Sequence, residues 1–122
     1  MGKMLKNPWF YVGLGIAVIL FYLILPDTSG EYDSFASCLT EEGVVMYGTD
    51  WCPHCKNQKA LFGKSFKLID YVNCDFNKET CLINGVEGYP TWKISGENYP
   101  GTQPLEKLSA LTGCSLVADV EE

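Results

Sequence analysis

Residues 51–55 read Trp51-Cys52-Pro53-His54-Cys55: two cysteines two residues apart, with a proline and the chain's only histidine between them. An apolar run, Val44 to Tyr47, precedes the stretch and suits a buried strand. The residues after it, from Pro53 to about Lys64, have the composition of a helix. Cys52 is therefore expected where a strand has ended and a helix begins. A helix N-terminus offers unpaired N–H groups and a partial positive charge. Both stabilise a thiolate, the form of cysteine that attacks disulfides. Pro53 suits the first helical position, where its missing N–H has no partner to lose. Cys55 falls about one turn on, close enough to close a disulfide with Cys52. His54 adds a donor, and a positive charge when protonated. A disulfide whose reduced form is stabilised in this way is a strong oxidant.

Two other uses of a C-x-x-C stand beside redox exchange. Half a zinc site would need a second pair of compatible spacing. Cys74 and Cys81 are poorly spaced for that, and no metal is expected. The other use is a purely structural disulfide. Redox exchange is the favoured reading.

Working outward, Ser34–Glu42 reads as a short helix ending at Gly43, and Leu68–Asn73 as a second strand. Lys78–Asn84 reads as a helix closed by Gly85. Thr91–Ile94 and Asn98–Tyr99 form a hairpin across Ser95-Gly96, and Pro104–Thr112 a last helix with Gly113 just past its end. The order α-β-α-β-α-β-β-α predicts an α/β fold: a small mixed sheet with helices on both faces. Trp92 and Phe62 are expected in its core, as are Tyr47 and Tyr71. Trp51 is expected to pack beside the cysteine pair and shield it.

The N-terminal part is of another kind. Trp9 to Leu25 reads WFYVGLGIAVILFYLIL, 17 residues without a charge. That is the short end of what spans a bilayer. Lys3 and Lys6 precede it, and Asp27, Glu31 and Asp33 follow it. Lysines favour the cytoplasmic side, so the N-terminus is expected inside and the rest of the chain outside the cytoplasm, held to the cell membrane by one transmembrane helix. A cleaved signal peptide is the rival, but no A-x-A-like site follows Leu25. The expected organisation is residues 1–26 as cytoplasmic N-terminus and anchor, 27–33 as linker, and 34–122 as one domain.

From residue 27 onward the chain carries all 15 acidic residues and seven of the nine lysines, with no arginine. Such a domain is poorly suited to neutralising phosphates, so nucleic acid is not an expected partner. All six cysteines lie in this part, and an even number outside the cytoplasm is where disulfides persist.

The order of elements, the WCPHC junction and the later GYPT (Gly88–Thr91) resemble the thioredoxin-like fold. The resemblance goes further. FASCL (Phe35–Leu39), MYGTDWCPHCKNQKALFG (Met46–Gly63), YVNCD (Tyr71–Asp75), Cys81, GVEGYPTW (Gly85–Trp92) and LTGC (Leu111–Cys114) together resemble the thioredoxin-like partner domain of bacterial and archaeal vitamin K epoxide reductase homologues. It covers roughly Phe35 to Cys114.

The resemblance implies that Pro90 is a cis proline facing the cysteine pair. Tyr89, Pro90 and Thr91 would then form the loop whose backbone meets a substrate chain. It implies a Cys74–Cys81 disulfide, although the intervening loop is shorter than the family leads one to expect. The four remaining cysteines allow three pairings. With Cys74–Cys81 formed, Cys38–Cys114 would tie the first helix of the domain to its end, the alternative being a buried pair of free thiols. The resemblance further implies a thiol–disulfide oxidoreductase with Cys52 attacking, Cys55 resolving, and Trp51, Pro53 and His54 tuning the pair. Cysteine-containing secreted proteins would be its substrates. A vitamin K epoxide reductase-like membrane protein would reoxidise it. No cofactor beyond the redox-active disulfide is implied, and quinone enters only through that partner. A disulfide reductase or isomerase is the nearest alternative, and a non-catalytic binding or chaperone module the more distant one.

Two departures from cytoplasmic thioredoxin matter. WCPHC replaces WCGPC, as in the periplasmic oxidant DsbA. The acid that thioredoxin buries six residues before its first active cysteine is here Met46. Asp50 and Glu42 are near in sequence but not at that place, and Asp50 reads as a solvated loop acid. The proton acceptor for Cys55 is left unassigned.

Overall fold

Four short strands form one sheet in the order β2-β1-β3-β4 in the computed structural model, which describes residues 6–26 and 29–117. In chain order the elements are α1 (Pro8–Ile24), α2 (Asp33–Glu41), β1 (Val45–Gly48), α3 (Pro53–Phe62), a 3₁₀ turn (Gly63–Leu68), β2 (Asp70–Asn73), α4 (Lys78–Ile83), β3 (Thr91–Ile94), β4 (Glu97–Pro100) and α5 (Leu105–Thr112). β1 pairs parallel with β2 and antiparallel with β3, and β3 pairs antiparallel with β4. The sheet is thus mixed, as the element order predicts.

β1 and β3 lie in the middle of the sheet and are covered on both faces, which is why the run Val45–Tyr47 is apolar throughout. Side chains alternate along a strand. Met46 and Trp92 are register partners and point to one face. There they join Phe35, Leu39, Phe62, Ile94 and Leu108 in the larger core. Phe62 stacks on Phe35 at 6.1 Å between ring centroids and lies 6.0 Å from the Trp92 ring. Tyr47 points to the other face, where it meets Cys74 and Cys81 with Val45, Val72 and Val86 around them. That second cluster is small because α4 is only six residues long.

Two disulfides lie within this domain: Cys38–Cys114, with 76 residues of sequence separation, and Cys74–Cys81, with seven. The first joins α2 to the chain just past α5, whose end is set by Gly113 in the left-handed conformation at φ +78°.

Some boundaries differ from the sequence reading. α3 stops at Phe62, two residues early, because Gly63 takes φ +57°. The chain then continues as the 3₁₀ turn through Leu68, so β2 begins at Asp70 and not at Leu68. Tyr71 is only half-buried, so it is not the full core residue expected of it.

The apolar N-terminal stretch forms α1, 17 residues long, with Asn7 accepting from the Trp9 N–H at its start. No helix among the described residues is long and apolar enough to cross a membrane. This corrects the expected transmembrane helix. At 1.5 Å per residue, 17 residues rise about 26 Å, against a hydrocarbon thickness of about 30 Å. α1 buries none of its residues. Lys3, Asp27 and the last residues, 118–122, on which parts of the topology and domain reading rest, lie outside the described residues.

Candidate functional site

The C-terminal end of β1 delivers the chain through Thr49 and Asp50 to Trp51 and Cys52. Cys52 is the N-cap of α3, and Pro53 is its first helical residue. The sulfur of Cys52 accepts the Cys55 backbone N–H at 3.4 Å. An orphan donor of the helix start therefore points at this sulfur, as an N-cap side chain requires. Cys52 and Cys55 are both free thiols and both buried.

The loop before β3 closes over the pair. The Tyr89–Pro90 peptide is cis. The Cys52 thiol donates to the Tyr89 carbonyl at 3.7 Å. Pro90 is buried, and Thr91 donates its hydroxyl to the Gly88 carbonyl at 2.7 Å, holding the loop at its base. Tyr89, Pro90 and Thr91 are thus brought to the cysteine pair from 37 residues away.

Trp51 does not cover the pair as expected. Its ring is 60% exposed, its indole N–H donates to Asp75 at 2.9 Å, and its edge meets the Tyr89 ring at 6.2 Å between centroids. It forms an exposed aromatic rim together with Tyr89. His54 is exposed as well, and its backbone carbonyl accepts from the Thr102 hydroxyl at 3.3 Å.

Behind the pair, α3 is fixed by a buried amide. Gln58 accepts from Trp92 Nε1 at 3.0 Å and from the Gln103 N–H at 2.7 Å, and donates to the Gln103 carbonyl at 3.0 Å. A buried amide so fully partnered holds the helix against β3 and against the segment leading to α5. The sequence reading gave Gln58 no role. Its signal was a polar residue one turn after Cys55 on a helix face otherwise carrying Cys55 and Phe62.

Cys55 is fully buried. Burial pushes its thiol up to about 11, opposed chiefly by a hydrogen bond from the Thr49 backbone N–H. Contact with Cys52 pushes it further up, and the charge of Lys59 pulls it down. Gly48 makes room for its sulfur: a Cβ at that position would lie 2.8 Å from Cys55 Sγ and 3.5 Å from a ring carbon of Tyr71. The position matching thioredoxin's buried acid, Met46, is fully buried among apolar side chains.

Asp50 is an exposed loop acid, as expected, but it is not without partners. Its carboxylate accepts from Lys59 at 3.0 Å, from the Tyr71 hydroxyl at 3.1 Å and from Asn73 Nδ2 at 3.1 Å. The Lys59 hydrogen bond, followed by that of Tyr71, holds its carboxyl below the usual carboxylate range. Burial first, and then the hydrogen bond to Asp50, raise the Tyr71 hydroxyl. Sequence distance concealed this group, because its members come from a loop, a helix and a strand. The zinc alternative loses its second pair, since Cys74 and Cys81 are bonded to one another.

The thioredoxin family model matches residues 24–113 of the chain. The chain is 37% identical over 92 residues to the thiol-disulfide oxidoreductase LTO1 of Arabidopsis thaliana, a match covering 68% of this chain and 24% of that protein. It is 30% identical over 121 residues to a protein disulfide-isomerase of Aspergillus niger, covering 83% of this chain and 23% of that one. The chain thus spans about a quarter of the length of these curated relatives. Among solved structures, Fasciola hepatica thioredoxin superposes with a TM-score of 0.41 at 22% identity, over 59% of this chain and 79% of that one.

Proposed function

The chain belongs to the thioredoxin family, and on that footing we propose that it is a thiol–disulfide oxidoreductase in which Cys52 attacks and Cys55 resolves. The observation that carries this reading is the arrangement of the pair. Two free thiols sit at the start of α3, with a backbone N–H on the Cys52 sulfur and the cis Tyr89–Pro90 loop against it. Cys52 takes an incoming sulfur while Cys55, enclosed behind it, is within reach to release the adduct. The Tyr89 loop, laid beside the Cys52 sulfur, offers a place for an extended substrate segment.

We take the direction to be oxidation. Cysteines of secreted proteins would give up electrons to the Cys52–Cys55 disulfide, and a vitamin K epoxide reductase-like, quinone-linked membrane protein would remove them. The support is the WCPHC motif and the combination of motifs from Phe35 to Cys114. The domain would work outside the cytoplasm, associated with the membrane through the apolar α1. The apolar, unburied surface of α1 supports attachment, and the two disulfides support a place outside the cytoplasm.

A second reading, reduction or isomerisation, draws on the likeness to a protein disulfide-isomerase. The reduction potential of the Cys52–Cys55 couple separates the two. An oxidase should lie well above thioredoxin's value of about −270 mV, towards DsbA's of about −120 mV. A value at or below thioredoxin's would contradict the oxidising direction. A binding or chaperone module without catalysis would keep its activity in Cys52→Ser; the proposed enzyme would lose it.

A further inference from the structure

Lys59 lies four residues after Cys55 on α3, so the two side chains leave the helix from the same face, one turn apart. Tyr71 stands beside both. Its ring meets the same vacant Cβ position of Gly48 as the Cys55 sulfur does, and the Lys59 ammonium stands 4.2 Å over that ring. The ammonium is also 5.5 Å from the Phe66 ring centroid and 3.0 Å from Asp50. A lysine seated on two aromatic faces and tied to a carboxylate is held in place and does not sweep through solvent. Its side chain is only 27% exposed, so its charge is less screened than that of a free surface lysine.

We propose that Lys59 is a positioning residue for the exchange: its ammonium, seated on Tyr71 and restrained by Asp50, favours the thiolate of Cys55. This deepens the reading above and rests on it. When the reduced pair is reoxidised, the Cys52 thiolate first attacks a partner disulfide, forming a mixed disulfide and releasing one partner thiolate. Cys55 then loses its proton to solvent and attacks the Cys52 sulfur. The bond between Cys52 and the partner breaks, the Cys52–Cys55 bond forms, and the second partner sulfur leaves as a thiolate. In the oxidising half, a substrate thiolate attacks Cys52 and Cys55 departs as a thiolate. Both halves pass through a charged Cys55 in a buried place, and Lys59 is the cation on α3 whose charge bears on it.

The groups that bear on Cys55 are Cys52 and the Thr49 N–H beside it, Lys59 on its own helix, and Tyr71 on β2. Asp50 in the loop and Asp75 beyond β2 act on Tyr71. Lys59 is the one cation of this set, and Asp50 is the anion that partly neutralises it. Removing the two should therefore move Cys55 in opposite directions, which a merely structural disturbance would not do.

The test follows the Cβ resonance of labelled Cys55 against pH in the reduced full chain. Lys59→Met should raise the midpoint by roughly half a unit to one unit. Lys59→Arg should leave it near that of the parent. Asp50→Asn, which keeps an oxygen for Lys59 but removes the charge, should lower it. At a fixed pH near neutrality, Lys59→Met should slow release of a Cys52 mixed disulfide by about two- to fivefold, less than the loss of thiolate because nucleophilicity rises with basicity. A midpoint unmoved in Lys59→Met, or moved the same way by Lys59→Met and Asp50→Asn, overturns the proposal. The titration does not depend on turnover, so this result is separate from whether Cys52→Ser abolishes exchange.

Discussion

Cys52/Cys55 and Cys74/Cys81 are two closely spaced cysteine pairs belonging to cores on opposite faces of one sheet, and they differ in almost every physical respect. Cys74 and Cys81 are bonded, buried and seven residues apart, and their disulfide holds the short helix α4 to the end of β2. Cys52 and Cys55 are unbonded and three residues apart. They begin a ten-residue helix, with a loop from a distant strand laid against them. Burial is common to both pairs, so burial does not distinguish a reactive pair from a structural one. The difference lies in what surrounds the sulfurs: a helix N-terminus, a carbonyl from a cis proline loop and a charged cluster in one case, and valines with Tyr47 in the other.

The largest effect expected from this contrast is on activity. Cys52→Ser should reduce thiol–disulfide exchange with a reduced, unfolded protein to the uncatalysed rate, whereas the double variant Cys74→Ala, Cys81→Ala should retain exchange while it remains folded. Loss of activity in the second variant under folding conditions would erase the distinction between the pairs.

On stability the ranking reverses and follows loop length. Removing Cys38–Cys114, with its 76-residue separation, should cost about 4–5 kcal/mol, and removing Cys74–Cys81, with its separation of seven, about 2–3 kcal/mol, in the chain-entropy account. Denaturant titration of the two double-alanine variants measures this. Equal losses would mean that native contacts and not chain entropy set the contribution.

A smaller effect is expected at Gly48. A methyl group there would meet the Cys55 sulfur at 2.8 Å, so Gly48→Ala must displace the resolving sulfur or β1. Exchange should slow by roughly tenfold, with a stability loss of about 1–3 kcal/mol. Stopped-flow release of a preformed mixed disulfide would show an unchanged rate if the close contact is of no consequence.

The smallest effect is on pH dependence. Burial pushes the Cys55 thiol up to about 11, above its ordinary value. Alkylation of Cys55 in the reduced protein should therefore still be rising with pH above 9. The same shift has a sign for stability. In the unfolded chain the thiol ionises first, so this group's contribution is present below about pH 9 and is lost as pH rises towards 11.

The parts of this account that were legible in the sequence are those governed by local chemistry. A proline after Cys52, a glycine after Thr112 and Ser95-Gly96 between two short strands mark the starts and ends of elements directly. The mixed sheet follows from their order. Two parts were hidden. The 3₁₀ turn from Gly63 to Leu68 carries neither helical periodicity nor strand alternation, and only the glycine at φ +57° ends the helix before it. The charged cluster around Tyr71 needs the parallel register that sets Gly48 beside Asn73 and Met46 beside Tyr71. Asp50 is the exposed loop acid that the sequence suggests, but its partners are hidden until that register is known, and Tyr71 reads as a core residue until its hydroxyl is seen to reach Asp50. The proline loop was legible only through family resemblance, since nothing local to GYPT shows that it meets WCPHC.

The most direct test of the central claim is to trap the exchange intermediate. Cys55→Ala leaves Cys52 able to attack but removes the release step, so mixed disulfides should accumulate in cells as larger species on a non-reducing gel that vanish with reductant. Secreted proteins with cysteines should be among them, together with a multi-spanning quinone-linked membrane protein. Cys52→Ala should show none. Adducts that persist in Cys52→Ala and disappear when Cys38 or Cys114 is replaced would contradict the assignment of Cys52 and Cys55 as the exchanging pair.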